Sequence, residues 1–185
     1  MRKAALVRFL AQGVEATSAE EIAADAGVSL RTFYRHFGSK HDLLFADYDA
    51  RLHWFRRALE ARPADEPVIA AVRAAIFAFP YDVDAVTQIA TLRAAELDPA
   101  RIVRNIREVE IDFAAAIEAH LARTGVFATL TVDQGLRVTV TARCIAAAVF
   151  GAMELWMLGD DRSLDELARM CGTALSSLQS GIVTP

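Results

Sequence analysis

Apolar residues recur every three or four positions from Arg2 almost to the C-terminus, and alternation of period two is nearly absent. That spacing predicts helices and leaves little room for a sheet, because a strand turns successive side chains to opposite faces. The pattern is punctuated. A first helix is expected from Arg2 to about Ala11, with Ala5, Leu6, Phe9 and Leu10 on one face, and Gly13 ends it. Ser18-Ala19-Glu20-Glu21 has the form of a capping box opening a short helix to about Asp25. Gly27 supplies a tight turn, Ser29 caps a third helix over about Leu30–His36, and Gly38 stops it. A long fourth helix is expected after Ser39, through Leu43, Leu44, Tyr48, Leu52, Phe55 and Leu59 to a break at Pro63 and Pro67. Further helices are expected at about 66–78, 82–96, 99–123, 132–158 and 163–179, separated at Pro80, Pro99, Gly125 and Gly159-Asp160-Asp161. The fold class is therefore all-α, an N-terminal three-helix head followed by a larger C-terminal helical body.

The 185 residues carry a net charge of −4, so no global basic field is present. The charge is uneven: residues 1–58 hold nine Lys and Arg against seven Asp and Glu, and the remaining 127 hold eleven against seventeen. A mildly basic head on an acidic body suits a small nucleic-acid-binding domain joined to something else. Cys144 and Cys171 lie in apolar helical patterns and are expected to be buried, reduced thiols of a cytoplasmic protein. The apolar run from Cys144 to Leu158 contains Glu154, which favours a buried helix over a membrane span. No glycine-rich phosphate loop, metal-spaced Cys or His pair, or nucleophile elbow occurs, so no enzyme, cofactor or metal is expected.

The chemistry concentrates in residues 27–44, GVSLRTFYRHFGSKHDLL. Two short helices joined by a glycine-containing turn match a helix-turn-helix, with Ile22, Ala23, Val28 and Phe33 as the contacts holding them crossed. The third helix then exposes Leu30, Arg31, Tyr34 and Arg35. Its length of about 11 Å is close to the width of the B-DNA major groove. Arginine reads guanine edges, leucine meets only a thymine methyl or excludes water, and the hydroxyls of Thr32 and Tyr34 suit phosphate oxygens. Lys40 stands at the next helix start, where backbone amides also face anions.

The stretch ATSAEEIAADAGVSLRTFYRHFGSKHDLL resembles the DNA-binding domain of TetR (tetracycline-repressor) family transcription regulators. The matching residues are Thr17-Ser18, Ile22-Ala23, Ala26 to Ser29, Thr32 to Phe37, Ser39-Lys40 and Asp42 to Leu44. The resemblance is dense over residues 5–45, and beyond residue 60 it extends only to a general pattern of helices. It implies a helix-turn-helix domain over residues 1–45 and a ligand-binding and dimerisation domain over residues 46–185. It also implies a homodimer whose recognition helices enter successive major grooves of a near-palindromic double-stranded operator. By the family's motif Leu30, Arg31 and Tyr34 approach bases, and Thr17, Thr32, His36 and Lys40 hold phosphates, with Tyr34 open to either role. Ser18 and Arg35 complete the expected DNA-binding set. The family usually places several residues, often basic, before its first helix; only Arg2 and Lys3 stand there in this chain.

In the body, Leu164, Leu167, Cys171, Ala174 and Leu178 recur at spacings of three and four, a bundle seam. The helix before it is apolar nearly all round and must be covered on every side. A contact of two helices from each subunit is therefore expected, with Val149, Met153 and Trp156 joining the seam. A pocket for a small, largely apolar effector is expected among the middle helices, since such sites combine apolar walls with a few polar groups. Its candidate residues are Trp54, Phe77, Tyr81, Gln88, Leu92, Glu110, Phe113, Arg143 and Phe150; Phe79, Arg93, Asn105 and Glu154 also stand among apolar neighbours. Arg143 and Glu154 lie too far apart to pair along one helix, so each is expected to need another partner. The function expected is a sequence-specific DNA-binding repressor released from its operator by such an effector, with a ligand-independent or cysteine-redox-responsive regulator as the alternative.

Overall fold

A computed structural model describes residues 1–46, 48–80, 82–124 and 131–181; Tyr81 and Gly125 lie outside the described residues. Nine α-helices and one short 3-10 helix account for the regular structure of the described residues, and none of these residues forms a strand. The head comprises α1 (Arg2–Gln12), α2 (Ala19–Asp25), α3 (Leu30–His36) and the 3-10 helix Lys40–Leu44. The body comprises α4 (Tyr48–Glu60), α5 (Val68–Phe77), α6 (Val83–Glu96), α7 (Pro99–Arg123), α8 (Val132–Leu158) and α9 (Leu164–Gln179).

Local chemistry sets these bounds. At α2 the capping box forms in full: Glu21 N–H donates to Ser18 Oγ at 3.1 Å, and Ser18 N–H donates to the Glu21 carboxylate at 2.8 Å. Gly27 has φ +67°, the left-handed region a glycine enters without steric cost, and so turns the chain sharply into α3. Ser29 Oγ accepts from Thr32 N–H at 3.1 Å to start that helix. Asp98 caps α7 through Ala100 N–H at 2.7 Å, with Pro99 at the first helical position. The fourth helix departs from expectation. It begins at Tyr48, because Ser39 and Asp42 cap each other across a 3-10 turn that ends at Leu44.

Phe9, Val14, Ile22, Ala23, Phe33, Leu43 and Leu44 form the core of the head. Leu10, expected on the inner face of α1, is 48 % exposed. In the body α8 packs against α7 on one side and α9 on the other, and α4 packs against α5 and α7. The 3-10 helix meets α1 and α6, so the head is seated on the body there. By length and composition α8 could cross a membrane; its inner face, including Ile145, Phe150, Trp156 and Met157, is buried in the protein.

The structure bears on two expectations about the body. Val149, Trp156 and Cys171 are buried inside the chain, and Met153, Leu164, Leu167, Ala174 and Leu178 are partly buried against the same core. The seam of α9 therefore faces α8 of its own chain. The exposed apolar stripe on α8 is a different set: Val132, Leu136, Val140, Leu155 and Leu158, with Cys144 and Ala147 between them. With Gly151 completing the row, these residues recur every three or four positions on the side opposite Ile145, Val149 and Trp156. Cys144 is thus exposed, contrary to its expected burial. Cys171 is buried as expected, and burial pushes its thiol up to about 11.

Candidate DNA interface and effector cavity

The outward face of α3 is built on Phe33. That ring is fully buried and touches Tyr34 edge-on at 5.2 Å and Phe37 at 5.7 Å. With Phe33 held inward, helical geometry turns Arg31, Tyr34 and Arg35 out, and all three are exposed together with His36. Arg35 and the His36 ring approach at 3.4 Å. Leu30 is half-buried and packs on the head core, so it presents only part of its side chain.

The flanking polar residues are more committed than the sequence implied. Thr17 is 1 % exposed, and its hydroxyl donates to Gly13 C=O at 2.7 Å. A hydroxyl so placed holds the turn after α1 and cannot reach a phosphate, which removes Thr17 from the DNA-facing set. Ser18 Oγ is engaged by both the backbone and the carboxylate of Glu21, so its role here is the cap. The Thr32 hydroxyl lies 2.9 Å from Ser29 Oγ. Lys40 Nζ donates to Glu15 C=O at 2.9 Å and lies 3.8 Å from the Glu15 carboxylate, while His41 Nε2 lies 3.0 Å from that carboxylate. The His41 hydrogen bond, followed by the Lys40 charge, lowers the Glu15 pKa below its usual range. Three donors belong to each ammonium, so Lys40 keeps capacity for an anion beside Glu15.

A small cavity of about 50 Å³ lies between α4, α5, α7 and α8. Its inner wall holds Phe55, Phe113 and Phe150: Phe55 and Phe113 stack at 4.4 Å, and Phe150 meets Phe113 edge-on at 4.9 Å. Its outer wall holds Trp54 and Phe79 in a T-shaped pair at 5.8 Å, with the Arg51 guanidinium 5.7 Å from the Phe79 centroid. Tyr48, Ile76, Val109, Val149 and Met153 complete most of the lining. Arg51 is the only lining residue with a permanent charge among the described residues.

Three of the expected pocket residues, Trp54, Phe113 and Phe150, meet in this cavity. Phe77 is 52 % exposed and turned away from it. Gln88 is exposed on an open groove between α1 and α6, and Leu92 packs on the core. Glu110 pairs with Arg107 at 3.2 Å outside the cavity. Arg143 is exposed on α8, where water solvates it, so it neither lines the cavity nor needs a buried partner. Glu154 does pair, with the exposed Arg107 of α7 at 3.0 Å. Tyr48, Arg51 and Phe55 were missed, although their spacing of three and four places them on one face of α4.

Residues 2–46 match the sequence family described as bacterial regulatory proteins, tetR family. Over 183 residues the chain is 31 % identical to the HTH-type transcriptional regulator TcmR of Streptomyces glaucescens, an alignment covering 95 % of this chain and 79 % of that protein. The chain belongs to the TetR family. Among solved structures, FadR of Thermus thermophilus, a TetR-family transcriptional repressor in complex with lauroyl-CoA, matches with a TM-score of 0.64. That match covers 100 % of this chain and 94 % of FadR at 19 % identity, a likeness of fold. This TetR-family chain is accordingly a DNA-binding transcriptional regulator with a helix-turn-helix head and a larger helical body.

Proposed function

We propose that the protein is a cytoplasmic repressor that binds a near-palindromic operator as a homodimer and leaves it when a small, largely apolar effector enters the cavity. Residues 1–45 are the DNA-binding domain and 46–185 the effector-binding and dimerisation domain. Arg31, Tyr34 and Arg35 face the bases, with the exposed part of Leu30; Thr32, His36 and Lys40 face phosphates. The observation that carries this reading is the pairing of an outward cationic and hydroxyl-bearing face on α3 with an aromatic-walled cavity bounded by α4, the helix that follows the head. An effector suited to that cavity is held by ring faces and turns an acceptor group towards Arg51. Ligand release follows if effector and operator favour different conformers of the dimer.

Dimerisation through the outer stripe of α8 is supported by five large apolar residues left exposed on one face and by the family's dimeric habit. Redox control through Cys171 is disfavoured, since a buried thiol held near 11 supplies almost no thiolate.

Titration of the full chain into a fluorescent duplex from upstream of its gene, against excess unrelated duplex and at several salt concentrations, tests the regulator reading. The expected result is competitor-resistant binding of about 10⁻⁸ M or tighter that weakens steeply with salt. Binding erased by unrelated duplex would count against a sequence-specific regulator.

A further inference from the structure

The head is tied to the body by two arginines that grip opposite ends of the 3-10 helix. Arg101, near the start of α7, donates to Asp42 Oδ1 at 3.1 Å and to Ser39 Oγ at 3.4 Å. Arg93, in the last turn of α6, holds the other end. Its Nε donates to Leu44 C=O at 2.8 Å, and its Nη2 donates to the same oxygen. The guanidinium carbon lies 5.0 Å from the Phe45 centroid and 4.9 Å from that of Tyr48, and these rings stack 5.9 Å apart. Its Nη1 also donates to Tyr48 Oη at 3.3 Å.

The two ties differ in burial and in what they touch. The Arg101 pair is partly exposed, whereas Arg93 is 5 % exposed and lies against the stacked rings of Phe45 and Tyr48, themselves 8 % and 7 % exposed. Leu44 ends the 3-10 helix, so its carbonyl lies at the negative end of a helical segment. A planar guanidinium suits this place as no ammonium does, since it can double-bond one carbonyl edgewise while resting against the aromatic pair. Burying a cation is costly, and a packed apolar residue would hold two elements together at least as strongly. What the cation adds is directional: it fixes where Leu44 sits relative to α6. Tyr48 also lines the cavity, together with Arg51 and Phe55 of the same helix face. One residue is thus shared by the cavity wall and the head's seat.

We propose that Arg93 is a positioning residue that couples the cavity to the DNA-binding head, holding the head through Leu44 and Phe45 and loosening it when an occupant displaces Tyr48. The proposal rests on the cavity being the effector site. Arg101 holds the head without touching the cavity and is expected to be indifferent to its occupancy.

The test needs no known effector. Val109 lines the cavity from α7, and Val109→Phe places a ring in it. Amide hydrogen exchange of the full-length protein is followed in the segment 40–48, with 114–121 in α7 as the internal reference for global opening. Arg93→Met is expected to speed exchange in 40–48 by about tenfold at unchanged reference exchange, and Arg101→Gln by much less. Val109→Phe is expected to speed the same segment in the otherwise unchanged protein and to add nothing in the Arg93→Met background. Should Arg93→Met fail to fold, Arg93→Lys, which keeps the charge but not the fork, carries the same cycle. Unchanged exchange in the Arg93 variants, or an undiminished Val109→Phe effect in their background, overturns the proposal. Operator titration of the same variants separates the two readings: the expected exchange pattern in a chain that binds no operator would sink the regulator and leave the coupling standing.

Discussion

At the scale of single residues, function depends on which groups are left over after folding has claimed its share. Arg31 and Tyr34 project because Phe33 is buried, whereas Thr17 and Ser18 are consumed by the turn and cap that hold the head together. Arg31→Ala is expected to weaken operator binding by about 1–3 kcal/mol and to relax the preference at one base pair per half-site, read by anisotropy on single-base operator variants. His120, which is 4 % exposed, carries a different prediction. Burial, and then the charge of Arg123, lower its pKa below the ordinary value, against weaker opposing effects of the Leu59 carbonyl and Glu66. A histidine with a depressed folded pKa contributes its full stability above about pH 6.5 and loses it as pH falls towards the folded value. The melting temperature should therefore drop as pH falls below about 6.5. His120→Gln should flatten that part of the profile. The lowered carboxylates Glu15, Glu21, Glu66 and Glu166 act only below about pH 4.5, which keeps the two windows apart.

At the scale of elements, caps explain why so much of the chain is legible in its sequence. The bounds of α7 and α8 agree with expectation because Asp98-Pro99 and Thr131-Gln134 are local signals satisfied by their own backbone amides. The start of α4 was misplaced because Ser39-Asp42 caps a 3-10 turn as readily as an α-helix, and no periodicity separates the two over five residues. Ser18→Ala tests such a signal. It should cost about 0.5–2 kcal/mol in the head, seen as faster exchange in α2 and α3 with α7 and α8 unaffected. The cavity was half legible: Trp54, Phe113 and Phe150 were named, while Phe77 and Arg143 proved to be exposed. Aromatics that line a cavity and aromatics that fill a core share one helical spacing, so only packing distinguishes them.

At the scale of the whole molecule, the question is which face of α8 is covered by which chain. A helix apolar nearly all round has no dominant moment, so its sequence does not say which side turns inward. The structure turns Val149 and Trp156 in and leaves Leu136 and Leu155 out, at 62 % and 66 % exposure. Replacing both exposed leucines by glutamate should leave the subunit fold nearly untouched, since exposed positions tolerate substitution within about 0.5 kcal/mol. The same change should convert the dimer to monomer in sedimentation velocity and lower operator affinity, because one head alone meets only a half-site. A double variant that stayed dimeric would place the subunit contact elsewhere.

Lys40, bound to Glu15 beside α3, has only one companion of its kind, Lys3. Every primary amine of the 185 residues therefore lies in or next to the head, and the body, with all its remaining cations as arginines, has none. Lysine-directed acylating reagents, natural or applied, can therefore mark this protein only in its head, at Lys3 and Lys40.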